Sequence, residues 1–487
     1  MNLSNSLRGK KRPSLIVSLL DFFKQLKRHK VGICGFLLLL FYFILGIIGP
    51  YIAPHAPFEM RLAEAYAVPD WFVIFPQYRD YPPNIVHRVS TSMWELVEKS
   101  NELTLKIDKS AISVIYMKAS ETNGKKSLFF SYSFEYPYRP PKTFYLTLKF
   151  KATKVNLPSS YARINIYLVN TEGKRFLLLS KRVVGNESKW VTPLDVDSRD
   201  ITLKLRLGVD PFADLAPLIL NSKGTYKILL ELEVFDRDVN TNGVFNITLG
   251  ELLFRIPGMR YGLLGTDNNG SDLFSQLLYG ARVSMIVGLL ASSISVFLGL
   301  VIGVIAGYEG GFVDQFLLFI TDTLYFMPIL PLLIALSVFY GKNIYLQILL
   351  IASLSWMAFA RTVRSYTLSL RESLFVEAVR AIGASDIYII IKHIIPQLIP
   401  LIYVQLALSV PGAVLLEASL SFLGLGDPRV PSWGRMLYSA ELAGAFPRLI
   451  WWWILPPGLM LTFFALSFIL FGYALDEIFN PRLRVRR

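Results

Sequence analysis

A chain of 487 residues that is 53% hydrophobic and 18% charged, with a mean hydropathy of +0.45, is too apolar for a soluble protein and points to several membrane spans. The net charge of +14 does not call for nucleic acid, because Lys and Arg gather beside the apolar segments, where cytoplasmic loops keep them. The only cysteine, Cys34, excludes a disulfide framework or cysteine metal site within the chain, and His29, His55, His87 and His393 are too scattered for a histidine metal site.

Residues 1–30 are polar and basic, with Arg8, Lys10, Lys11, Arg12, Lys24, Lys27, Arg28 and Lys30. An apolar run from Val31 to Gly49 then reads as an uncleaved first span, assigned to residues 31–54. Its basic flank places the N-terminus in the cytoplasm. Residues 55–258 hold no span and are expected on the far side of the membrane. They alternate with period two, which predicts strands. Phe144, Leu146, Leu148 and Phe150 share one face, as do Ile164, Ile166 and Leu168. Ile201, Leu203, Leu205 and Leu207 repeat the pattern, and so do Ile228, Leu230, Leu232 and Val234. Such strands, separated by Asn, Gly and Pro turns, predict an antiparallel β-sandwich. Its length of about 200 residues suffices for a core of its own.

Asn186-Glu187-Ser188, Asn246-Ile247-Thr248 and Asn269-Gly270-Ser271 fit the N-glycosylation pattern. Asp236, Asp238, Asn240 and Asn242 precede Gly243, and alternate oxygen ligands ahead of a glycine turn can wrap calcium. The acid that an EF-hand needs at position 249 is Leu249, and a plain turn between strands is the alternative reading.

Residues 259–475 contain five further apolar stretches, and residues 476–487 form a basic tail. Asp314 and Asp322 fall near or within the third span, and Glu417 near the far end of the fifth. Ionisable groups at that depth are candidates for a translocation path, or for ties between helices. Pro328 and Pro331 are expected to kink the third span. Trp451, Trp452 and Trp453 suit a membrane interface. Between the fourth and fifth spans, residues 371–396 are polar, with Gly383 between two short amphipathic helices. Six spans put both termini on one side. No phosphate-cradling G-x-x-x-x-G-K-[ST] occurs, so ATP hydrolysis is not expected on this chain.

The order of motifs resembles the dipeptide/oligopeptide/nickel ABC importer permeases, in particular the subunit with an extended N-terminal span. The resemblance rests on LGTD (264–267), LLYGARVS (277–284), GYEGG (307–311), the loop at 377–396, EASLSFLGLG (417–426), PSWG (431–434) and NPRLR (480–484). It implies a six-helix type I importer permease in the cell membrane, here with a large extracytoplasmic β-sandwich-like domain inserted between helices 1 and 2. It further implies a second homologous permease subunit, two ATPase subunits that carry ATP and Mg, and an extracytoplasmic solute-binding protein. No cofactor is expected on this chain, and no nucleic acid.

The same resemblance makes Glu377, Ala378, Ala381, Ile382, Gly383, Asp386 and Pro396 the ATPase-coupling residues. Glu377 would meet a basic group, Ala378 and Ala381 would allow close seating, and Ile382 would fill a groove. The loop departs from the family pattern at Val379 and Arg380, and the inserted domain is a larger departure. The implied activity is import of di- or oligopeptides by alternating access, with oligosaccharide or nickel import as alternatives. A membrane-anchored surface-binding protein is a further reading. No nucleophile–base constellation supports a membrane enzyme.

Overall fold

The computed structural model describes residues 24–27, 29–108, 111–118, 124–185, 194–238 and 241–479. The basic N-terminal residues up to 23, Arg28, the NPRLR tail, Asn186-Glu187-Ser188 and Asn240 lie outside the described residues. Two compact units emerge, one formed by Met1–Pro57 with Leu273–Arg487 and the other by Phe58–Asp272. The division at Asp272, rather than 258, follows from the LGTD segment. The Thr266 hydroxyl donates to the Glu64 carbonyl and accepts from the Ala67 amide, which ties this segment into the β-rich unit.

The first helix, α1 (Lys30–Ile52), buries Gly32, Gly35, Tyr42, Gly46 and Gly49 and exposes most of its large side chains. A helix in lipid has little to gain from burying Leu over Ala, so its packed face is marked by small residues.

The β-rich unit is a sandwich of two antiparallel sheets. One sheet carries β1 (Ile85–Val89), β3 (Leu103–Ile107), β4 (Ile112–Lys118), β6 (Tyr145–Val155), β9 (Leu194–Asp197) and β11 (Gly243–Ile256). Its order is β3-β4-β11-β6-β9, and β1 continues alongside β11. The other sheet has the order β2-β5-β10-β7-β8, from β2 (Glu95–Lys99), β5 (Gly124–Tyr136), β7 (Tyr161–Val169), β8 (Arg175–Val183) and β10 (Gly224–Asp236). The expected faces form the core: Phe144, Leu146, Leu148 and Phe150 meet Ile164, Ile166 and Leu168, with Ile228, Leu230 and Leu232.

The expected strand at 201–207 is instead a helix, α2 (Ile201–Arg206), and a second short helix, α3 (Leu215–Ile219), follows. The Asp200 carboxylate accepts from the Thr202 amide and caps α2. Leu203 is buried and Leu207 packs on the core, whereas Ile201 and Leu205 stand 57% and 60% exposed. Leu203 and Leu207 are four apart, a spacing that a helix also places on one side.

The membrane unit continues with α4 (Leu273–Glu309), α5 (Gly311–Tyr325) and α6 (Ile329–Tyr340). Helices α7 (Ile344–Ser353) and α8 (Met357–Arg371) follow, then α9 (Leu374–Ala381) and α10 (Asp386–Ile389). The chain ends with α11 (Ile395–Phe422), α12 (Trp433–Leu442) and α13 (Trp451–Phe479). Among the described residues, five stretches are long and apolar enough to cross a membrane. The expected third span is the pair α5–α6, bent by 84° where Pro328 interrupts the backbone ladder.

Helices α4 and α8 meet along a backbone-to-backbone seam. Gly299, Gly303 and Gly307 recur every four residues on α4. A Cβ on them would lie 2.9 Å from the Trp356 carbonyl, 2.5 Å from that of Ala360 and 2.7 Å from that of Arg364. Backbones that touch in this way need glycine. At the other end of α4, the buried indole of Trp433 donates to the Leu277 carbonyl at 3.0 Å and its ring lies against Gly280. This brings the LLYGARVS and PSWG motifs together.

Replacing Gly303 by Leu should separate α4 from α8, at a cost of about 1–3 kcal/mol or more from overpacking. The detergent-purified variant should show a lower unfolding midpoint, and an unchanged midpoint would disprove the tight seam.

Candidate functional site

The polar stretch after α8 folds as two short helices around a glycine turn. After α9 the chain closes in a Schellman arrangement: the Gly383 amide donates to Arg380 at 3.0 Å and the Ala384 amide to Val379 at 3.4 Å. Gly383 has φ +88°, which L side chains resist, so glycine sets this turn. Beyond α10 the backbone opens into a π-turn, Ile390–Ile394, immediately ahead of Pro396. Pro396 lacks an amide hydrogen and its ring crowds the carbonyl four residues back, which favours the wider turn.

One side of this element is anchored and the other is open. Val376, Ile389 and Ile394 are fully buried with Val304, Tyr308, Phe359 and Val363 of α4 and α8. Glu377, Ala378, Ala381, Ile382, Gly383, Asp386 and Pro396 are all exposed. Around the turn, Leu374 and Ile382 are each 84% exposed and Ile387 is 71% exposed. Three large exposed aliphatic side chains give this short polar elbow an apolar outer side, an exposed knob that also carries the Glu377 carboxylate.

The elbow is braced from behind by a residue that the sequence did not single out. Tyr308, within GYEGG, donates its hydroxyl to Asp386 at 2.5 Å and accepts from the Arg380 guanidinium at 3.2 Å. Asp386 is therefore committed within the chain, and Arg380, a departure from the family pattern, is its counterpart across the tyrosine. The tyrosine set among the glycines of that motif was the available signal.

The three acidic path candidates are placed elsewhere. Asp314 pairs with Arg364, one guanidinium nitrogen at 2.6 Å, and Asp322 pairs with Arg361 at 2.8 Å. Both pairs clasp α5 to α8, so these two arginines are interhelical partners. The order is reversed along the two helices, as antiparallel neighbours require. Glu417 is buried beside α12, where its carboxylate accepts from Ser421 at 2.6 Å. Close packing of Gly434 on Ala418 seals that corner. Asp314 and Asp322 are thus held by arginines of α8, and Glu417 by a serine of its own helix.

The calcium candidate is occupied by a lysine. The Lys118 ammonium sits 2.8 Å from Asp236, whose carboxylate also accepts from the Tyr116 hydroxyl at 2.8 Å. Asp238 accepts from the Ser159 and Ser160 amides at 2.9 and 3.0 Å. Asn242 is exposed, and no cluster of three metal-type ligands occurs among the described residues. Burial alone would push Asp236 up, but Lys118, Tyr116 and Ser160 together hold it below the ordinary carboxylate value. Asp236 and Asp238 serve as struts inside the sandwich.

Comparison with known proteins bears on residues 18–69 and 299–485. The first segment matches the family described as the N-terminal TM domain of oligopeptide transport permease C, and the second the family described as binding-protein-dependent transport system inner membrane component. The chain is 38% identical over 226 residues to the oligopeptide transport system permease protein OppC of Haemophilus influenzae, covering 46% of this chain and 71% of that protein. It is 34% identical over 224 residues to the dipeptide transport system permease protein DppC of Bacillus subtilis, covering 45% and 68%.

Two outcomes test this anatomy. Tyr308→Phe should loosen the elbow, raising amide hydrogen exchange across residues 380–388 roughly tenfold, as loss of hydrogen bonds to charged groups implies; unchanged exchange would dismiss the brace. Lys118→Met should destabilise the sandwich by about 3–5 kcal/mol at neutral pH, because it strands a buried carboxylate. In the wild type, Asp236 has a lowered folded value. Its contribution is complete above the unfolded value, near ~3.9, and is lost as pH falls through the folded one. Protonation relieves the stranded charge in the variant, so its deficit should shrink on acidification. Denaturant unfolding followed by circular dichroism at several pH values checks this, and a pH-independent deficit would contradict it.

Proposed function

The chain belongs to the dipeptide/oligopeptide/nickel ABC importer permease family, and from this we propose that it is one membrane subunit of a binding-protein-dependent peptide importer, driven by ATP hydrolysis on separate subunits. The elbow at 374–396 is the contact for an ATPase. Its exposed Leu374, Ile382 and Ile387 fit an apolar groove, and Glu377 offers a carboxylate to a basic rim. The single observation that carries the reading is this exposed knob with a rigid back. Val376 and Ile389 root it in the helical core, and Tyr308 links it to the end of α4.

In this mechanism, closure of the ATPases on ATP pushes the elbow as a unit. The push passes through Tyr308 and the glycine seam into α4 and α8, and the two arginine–aspartate clasps carry α5 with α8. Rigid elements joined at a few contacts favour switching between two arrangements over continuous deformation. The elbow side is then cytoplasmic, with both termini, and the β-sandwich is extracytoplasmic. There it is suited to receive a solute-binding protein. Peptide as the substrate class is supported by the oligopeptide and dipeptide names of the relatives.

Glu377→Lys puts like charges together at the docking contact, where such a juxtaposition costs several kcal/mol, so uptake should fall roughly tenfold or more. The protein should still reach the membrane. The measurement is peptide uptake together with binding-protein-stimulated ATPase activity of the reconstituted complex. Wild-type values for both would remove the elbow from the coupling mechanism.

A further inference from the structure

Near the midpoints of α4 and α11, the membrane unit holds a partly open cavity of about 210 Å³ between these helices and the α7–α8 break. That is several times the share of one water, about 30 Å³. Its polar lining is Ser292 and Ser295 from α4, Ser355 from the break, and Gln405 and Ser409 from α11, with Gly412 at its wall. The remaining lining is aliphatic, without a charged or aromatic side chain.

Three features set this cavity apart from a packing defect. The Ser292 side chain is buried and its hydroxyl has no hydrogen-bond partner, although a helical serine can bond the carbonyl one turn back. A buried polar group left in that way calls for a ligand or water. Gly412 lies open, and a Cβ there would meet nothing within 4 Å. Gln405 donates to Ser409 at 3.0 Å, which leaves its carbonyl oxygen available to the cavity.

We propose that this cavity is a peptide-backbone subsite on the translocation path. The inference rests on the importer reading. A peptide unit presents one donor and one acceptor. Serine hydroxyls and a glutamine amide supply both, in the same small space. The absence of a fixed charge means that the site favours neither sign of side-chain charge and reads the peptide backbone instead, which suits solutes of varied sequence. A hard or transition-metal cation would find no carboxylate, imidazole or thiolate here. A sugar ring would find no aromatic face.

The test uses the complete transporter with its binding protein in proteoliposomes, with Cys34→Ser removing the native thiol. Ser409→Cys in that background should react with 2-sulfonatoethyl methanethiosulfonate, and trialanine with binding protein and ATP should slow the reaction several-fold. Ser467→Cys, a buried position on α13 away from the cavity, should stay unlabelled. Ser292→Ala and Gln405→Leu should each reduce trialanine uptake roughly three- to tenfold, as expected for one lost hydrogen bond. Gly412→Leu, which fills the cavity, should reduce it further.

If Ser409→Cys is never labelled, or is labelled at a rate indifferent to trialanine while the wild type imports it, the subsite is wrong and the importer reading stands. If the wild-type complex does not import trialanine or other short peptides, both fail together. Should Gly412→Leu not assemble, the labelling result decides.

Discussion

The membrane unit depends on the contact between the backbones of α4 and α8. Three glycines at four-residue intervals let the carbonyls of Trp356, Ala360 and Arg364 approach distances that any Cβ would forbid. In lipid, where apolar surface gains little by burial, this close packing replaces the hydrophobic driving force of a soluble core. It also fixes what lies at its end. Gly307 seats the Arg364 backbone, Tyr308 follows directly, and the Arg364 side chain reaches Asp314. The seam, the clasp to α5 and the brace of the elbow thus share a few adjacent residues.

That arrangement explains why charges can sit beside apolar helices here. Asp314 and Asp322 each meet a guanidinium on a neighbouring helix, so the cost of removing them from water is offset by paired hydrogen bonds. Both pairs span the same two helices, which resists sliding of α5 along α8. A movement delivered to α8 from the elbow would be transmitted to α5 rather than absorbed. The elbow itself has an exposed apolar face and a buried apolar face, the form expected of a part that touches something else while remaining rooted.

The β-sandwich follows other rules. It is held by two alternating apolar faces with a long aromatic component, among them Phe134, Tyr136, Phe144, Tyr226 and Phe254. A fully desolvated charge pair, Asp236 with Lys118, is wrapped by Tyr116 and Ser160. A buried pair of this kind adds little net stability, yet removing one member is costly because the other charge is left without its partner. The two aspartates of the segment that suggests a cation loop instead fasten a strand end, Asp236 against a lysine from the neighbouring sheet and Asp238 against the Ser159 and Ser160 amides.

Local features of this protein were determined by the sequence alone: the apolar runs, the strand faces at 144–150, 164–168 and 228–234, the break at Pro328 and the turn at Gly383. Each is a property of a window of a few residues, where side-chain period, a missing amide hydrogen or a positive φ settles the backbone. The strand expected at 201–207 failed within such a window, because leucines four apart serve a helix as well, and Asp200 supplied the cap. The exposure of the elbow residues was legible as amphipathic pattern, but their bracing was not. Partnerships were decided by the tertiary structure: Arg361 with Asp322 across 39 positions, Arg364 with Asp314 across 50, Tyr308 with Asp386 across 78 and Tyr116 with Asp236 across 120. A charge announces in sequence that it needs a counter-charge or a donor, but which one it meets depends on how distant helices and strands pack.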